Sequence, residues 1–226
     1  MNTPDLTLYY VVHRRMRESS RQLAAALATL DESDRRERGR QLVRWYGGFE
    51  GELHVHHTVE DNIFFPALFE KVPSLRGYLD RIEDEHVHLN ELLISTGASL
   101  VEIANPMTSF ADAVGSAVKL AAELEALLET HLDFEDAEVL PLFTRHMDGD
   151  EYKALDDKAM GKPEIGQLKF TVPWIMAGVS ADEQRHLFEG APFMMKVVWL
   201  ATRRGYGRLE HAALGSVPTV ELAVAS

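Results

Sequence analysis

Two segments of this chain pair a histidine with a glutamate one helical turn later, His56-x-x-x-Glu60 and His131-x-x-x-Glu135. Residues four apart on a helix share a face. Each pair therefore aims a borderline nitrogen donor and a hard oxygen donor at one point, as a divalent first-row metal requires. A single pair of this kind arises by chance in many helices. Here the frame is longer and written twice: His-x-x-x-Glu-Asp, four residues, then proline, ending at Pro66 in the first copy and Pro141 in the second.

A further histidine precedes each copy, His13 before the first and His86 before the second. Two carboxylates with four histidines suit two metals bridged by carboxylate oxygens better than one isolated ion. His57 adjoins the first pair and is a candidate additional ligand. Tyr9, Asp61 and Asp136 are candidates for the surrounding shell. The two aspartates follow the glutamates directly and point about 100° away on a helix. There they either accept from the far nitrogen of a ligand imidazole or face solvent. His54 and His88 fall on the outer sides of their helices, and His146, His186 and His211 belong to no such pattern.

Four helices must carry these residues to one level. Apolar spacing of three and four predicts a first helix from about Asp5 to Leu30, with the stripe Leu6, Tyr9, His13, Met16, Ser20, Leu23 and Leu27. After the polar break Asp31-Glu32-Ser33, Ser33 or Asp34 is the expected N-cap of a second helix reaching about Phe69. Its inner face is read as Leu42, Phe49, Leu53, His56, Glu60, Ile63 and Ala67, and Gly47, Gly48 and Gly51 lower its propensity locally. The third carries Leu79, Ile82, His86, Leu89, Leu93 and Leu100 and stops before Asn105-Pro106. The fourth starts near Thr108 or Ser109 and carries Leu120, Leu124, Leu127, His131, Glu135 and Leu142. It ends near Gly149, a residue suited to a helix C-terminus. Short connections make sequential helices antiparallel neighbours, which puts the inward His and Glu residues in one layer of an up-down four-helix bundle.

This bundle is expected over residues 1–150, and a helical C-terminal extension packed on it over 151–226. In the extension a short helix is expected over Glu151 to Lys162, followed by a break at Gly161, Pro163 and Gly166. Further helices are expected at about 171–178, at 180–189 from a Ser180 cap, and at 192–204, with a frayed end from Val217. The extension is rich in aromatic residues, which need cover.

Composition narrows the function. Apolar residues make up 46% of the 226, enough for a substantial core. The formal charge of −13 opposes phosphate backbones and anionic membranes, so neither nucleic acid nor a membrane is an expected partner. Zero cysteines exclude disulfides, thiolate metal sites and iron–sulfur clusters. No basic leader or membrane-length apolar run is visible, and a cytoplasmic location is expected.

The set His13, His56-x3-Glu60-Asp61-x4-Pro66, His86 and His131-x3-Glu135-Asp136-x4-Pro141 resembles the hemerythrin-like (HHE cation-binding) domain family over residues 1 to about 150, as an actinobacterial-type member with a C-terminal extension. That resemblance implies a non-haem di-iron centre, two iron ions held by His13, His56, Glu60, His86, His131 and Glu135 with the glutamates as bridges. It further implies dioxygen, nitric oxide or peroxide as the small ligand. Turnover of peroxide or nitric oxide, with a redox partner or a homodimer, is compatible with it. A non-catalytic iron or oxygen sensor or storage protein is the alternative. The chain departs from the oxygen-carrying members at Asn90, where they have a second third-helix histidine, and at His131-x3-Glu135, where they have His-x4-Asp. The departure at Asn90 leaves one metal position open unless His57 or Tyr9 fills it.

Overall fold

The computed structural model describes residues 2–161 and 165–215 and is all-helical, with no strand among the described residues. Four long helices form the bundle: α1 (Thr7–Ala28), α2 (Arg38–Val59), α4 (Arg76–Ala104) and α5 (Phe110–Phe134). Packing runs in a ring, α1 on α2, α2 on α4, α4 on α5 and α5 back on α1. The central core is built from Met16, Leu23, Leu27, Leu42, Phe49, Leu53, Leu89, Leu93, Leu124 and Leu128, all buried. Met16, Phe49, Leu53 and Leu89 were expected there from their spacing; Leu127 is only partly buried, and Leu128 takes the inner position.

The ends of the elements follow local chemistry. Asp31 and Asp34 close a capping box around a single 3-10 turn, Glu32–Asp34, so α2 starts at Arg38 rather than next to a Ser33 or Asp34 cap. Ser109 caps α5, as expected. Gly149 ends nothing. It is the first residue of α7 (Gly149–Met160), because Asp148 and Glu151 form a capping box around it.

The largest departure from a regular helix lies inside the repeated frame. A π-turn, Glu60–Phe64, joins α2 to α3 (Phe65–Lys71), and a second, Glu135–Val139, joins α5 to α6 (Leu140–His146). In each the backbone N–H of the residue before proline, Phe65 or Leu140, donates to the glutamate carbonyl five residues back. Pro66 and Pro141 have no N–H to continue an α-ladder, and their rings would crowd the carbonyl four residues back. One extra residue in the turn relieves both problems. It also shifts the buried face by one position: Phe64 and Leu68 are buried instead of Ile63 and Ala67, and Phe143 instead of Leu142.

The C-terminal helices are α8 (Ile165–Ala177), α9 (Ala181–Gly190) and α10 (Phe193–Leu214), the last ten residues longer than its spacing suggested. Ser180 caps α9 with a capping box to Glu183. Helices α8 and α10 pack on each other and against α1 and α2. Trp174 is fully buried and donates to Ser19 Oγ at 2.9 Å. Of the expected break, Gly161 follows the end of α7 with a positive φ, Gly166 instead lies inside α8, and Pro163, like the frayed end from Val217, lies outside the described residues.

Candidate metal centre

The inward layer gathers residues from all four long helices. His13 comes from α1, His56 and His57 from α2, His86 from α4 and His131 from α5, while Glu60 and Glu135 are the first residues of the two π-turns. Glu60, Glu135, His13 and His131 are wholly buried, and the most open of the set, the His56 side chain, is 10% exposed. His54 and His88 face outward, and Asn90 is exposed on α4.

The donors fall into two groups, His13, His56, Glu60 and Glu135 on one side and His57, His86 and His131 on the other. Within each group the donor atoms lie within 4.8 Å of one another. The glutamates reach both. Glu60 turns Oε1 to His56 Nε2 at 3.1 Å and Oε2 to His86 Nε2 at 3.6 Å. Glu135 turns Oε2 to His13 Nε2 at 3.5 Å and Oε1 to His131 Nε2 at 3.4 Å. Each carboxylate thus offers one oxygen to each group, which is the disposition of a bridge.

Three imidazoles are oriented from behind by carboxylates of other helices. His13 Nδ1 donates to Asp136 at 2.8 Å, His86 Nδ1 to Asp61 at 2.9 Å and His131 Nδ1 to Glu85 at 2.9 Å. A proton held on Nδ1 leaves the Nε2 lone pair turned inward. Asp61 and Asp136 therefore face histidines across the helix gap rather than solvent alone. Glu85 was missed in the sequence. It precedes His86 and looks like an ordinary surface acid until α4 and α5 are placed side by side.

His57, the candidate seventh donor, lies inside the layer. Its ring stacks on His86 with centroids 4.0 Å apart, and its Nε2 is buried in the second group. Tyr9 donates its hydroxyl to Glu60 Oε1 and packs against His13 and His56.

Electrostatics shows what this layer lacks. Burial lowers His13 to about 4 and also lowers His57 and His131, so these rings are neutral near pH 7, the form that binds a metal. Burial pushes both glutamates up, but His56, His86 and His57 bring Glu60 below the usual range. Glu135, facing the Glu60 charge, goes well above it. Burial, with Glu60 and Glu135 beside it, raises the Tyr9 phenol well above its ordinary value.

Unpartnered buried polar atoms are costly and rare. Here His57 Nε2, His86 Nε2, His131 Nε2, Glu60 Oε2 and both Glu135 oxygens have none. Cations bound at the two groups would give these atoms the partners they lack, so the residues fit a metal site.

Comparison with known proteins agrees. In an alignment 177 positions long that covers 66% of this chain, it is 25% identical to the zinc finger protein BRUTUS of Arabidopsis thaliana, of which it spans 14%. No solved structure matches it. Residues 6–143, more than half of the chain, match the hemerythrin HHE cation binding domain, and they contain every donor of the two groups; the chain belongs to the hemerythrin HHE cation-binding family.

Proposed function

We propose that the centre holds two iron ions and that the protein binds dioxygen, nitric oxide or peroxide there, with turnover of peroxide or nitric oxide as its activity. The observation that carries this reading is the division of the donors into two groups, each reached by one oxygen of Glu60 and one of Glu135. Five imidazoles and two carboxylates are a nitrogen and oxygen set suited to iron, and the family membership favours that element over others of similar taste. Bound iron would supply an inner-sphere position for a small ligand and the electrons for its reduction.

The chain's own residues do the rest. Glu60 and Glu135 hold the two positions together, and Asp136, Asp61 and Glu85 hold imidazole protons on Nδ1. Tyr9 keeps a proton on its hydroxyl, aimed at Glu60. The burial of the donors keeps bulk water and large molecules away from the centre.

Elemental analysis of protein purified without added metal or chelator tests the reading. About two irons per chain are expected. Glu135→Ala should lose both, together with any peroxide or nitric oxide reaction. A parent protein that neither contains iron nor takes up ferrous ion sinks the proposal.

A further inference from the structure

The three carboxylates that stand behind imidazoles of the layer are not treated alike by the rest of the chain. Asp136 accepts from His13 Nδ1 through Oδ1, and its other oxygen accepts from the Arg17 guanidinium at 2.8 Å. Glu85 accepts from His131 Nδ1 through Oε2, and its other oxygen accepts from Arg81 Nε at 2.7 Å. Asp61 accepts from His86 Nδ1, and among the described residues no arginine or lysine pairs with it. Two of the three braces are therefore histidine–carboxylate–arginine chains, one in each donor group, and the third ends at its carboxylate.

Both arginines are held in place. Arg17 lies one turn after His13 on α1, is mostly buried, and also donates to Asp133 at 2.9 Å. Arg81 lies one turn before Glu85 on α4, and its guanidinium covers the Phe134 ring, 3.9 Å from the centroid. Phe134 is the last residue of α5, next to Glu135, so this cation is fixed from the neighbouring helix as well. In one chain the arginine shares a helix with the histidine, in the other with the carboxylate, yet the order of the groups is the same. Arg21, on the next turn of α1, pairs instead with Glu129, which is bonded to no histidine among the described residues.

A carboxylate that accepts an imidazole N–H pushes electron density into the ring and makes Nε2 a stronger donor to a metal. A stronger donor favours the oxidised ion. An arginine on the far oxygen takes up part of the carboxylate charge and weakens that push. We propose that Arg17 and Arg81 are positioning residues that set the reduction potential of the centre. By fixing Asp136 and Glu85 and blunting their action on His13 and His131, they hold the potential above that of bare carboxylate braces. This rests on the two-metal reading above.

The test is a redox titration of full-length, iron-loaded protein that follows the absorption of the oxidised form. Arg17→Met and Arg81→Met, which keep an extended side chain but drop the cation, should each lower the potential. The oxidised-to-reduced ratio at a fixed potential should rise about 3- to 10-fold. Arg17→Lys and Arg81→Lys should return most of the shift. Asp61→Asn, which weakens the push on His86, should move the potential the other way. Arg21→Met removes the same charge one turn away and should change little. Thermal melts of the metal-free variants separate loss of fold from change of potential. Arg81 is 43% exposed, so Arg81→Met carries the test if Arg17→Met does not fold. Methionine variants whose potential equals or exceeds the parent's, a shift that lysine does not restore, or an equal fall in Arg21→Met overturns the proposal. A parent that does not take up ferrous ion overturns the two-metal reading beneath it.

Discussion

The proton positions of single imidazoles set what this centre can hold. With Nδ1 of His13 and His131 bonded to carboxylates, burial makes adding a second proton to either ring expensive. That has a consequence for the metal-free protein. The unfolded chain protonates His13 below its ordinary 6.5, whereas the native chain does so only near 4. Stability should fall as pH drops through that window, by about 3 kcal/mol from His13 alone, with His57 and His131 acting in the same direction. Urea melts of chelator-treated protein at about pH 7 and about pH 5 measure this. Equal midpoints at the two values would show that the rings are not buried neutral. Metal should flatten the dependence until protons compete for the ligands.

Among the elements, the two π-turns carry the most consequence. Each starts at a buried glutamate of the inward layer and ends two residues before a proline, so the extra residue lies between that layer and the apolar tail of the helix. The helical repeat of the sequence predicts the inner face correctly as far as Glu60 and Glu135 and is wrong by one residue after them. Proline six residues after the glutamate was visible, but a periodic reading has no place for an inserted residue. Deleting Asn62, an exposed residue of the first π-turn, should restore an α-register that keeps Phe64 and Leu68 on the core face but drives the Pro66 ring against the carbonyl four residues back. That clash and the missing ladder bond should cost about 3 kcal/mol, read as a lower denaturation midpoint of the metal-free protein. A deletion mutant as stable as its parent would show that the turn is not what accommodates the proline.

On the scale of the whole molecule, the extension is anchored through a charge. Arg15 is fully buried in α1 and donates to the Trp174 carbonyl, Glu18, the Tyr206 hydroxyl and Glu210, drawing α8 and α10 onto the bundle. The Arg15→Ala variant should lose about 3 kcal/mol. This is the low end for breaking a buried pair, because Glu18 and Glu210 still reach water. Increased proteolysis within α8 to α10 should accompany the loss. If the variant's melting and cleavage match the parent's, the anchor lies elsewhere.

The doubled His-x-x-x-Glu frame and its two preceding histidines were enough, with helical periodicity, to place His13, His56, Glu60, His86, His131 and Glu135 on the inner faces of an all-helical bundle, because ligand spacing and amphipathic spacing are both local properties of a helix. Cap residues such as Ser109 and Ser180 were legible for the same reason. What needed the tertiary structure was every relation between helices. His57 stacking on His86, Glu85 behind His131, Asp61 and Asp136 turned to histidines of other helices, and Glu52 held by α8 all depend on side chains far apart in the chain meeting across a gap. The glycines of α2 show the limit well. Locally they only weaken a helix, and their purpose appears when Phe170 and Gln167 are laid against them, since a missing Cβ signifies close approach only once the approaching group is known.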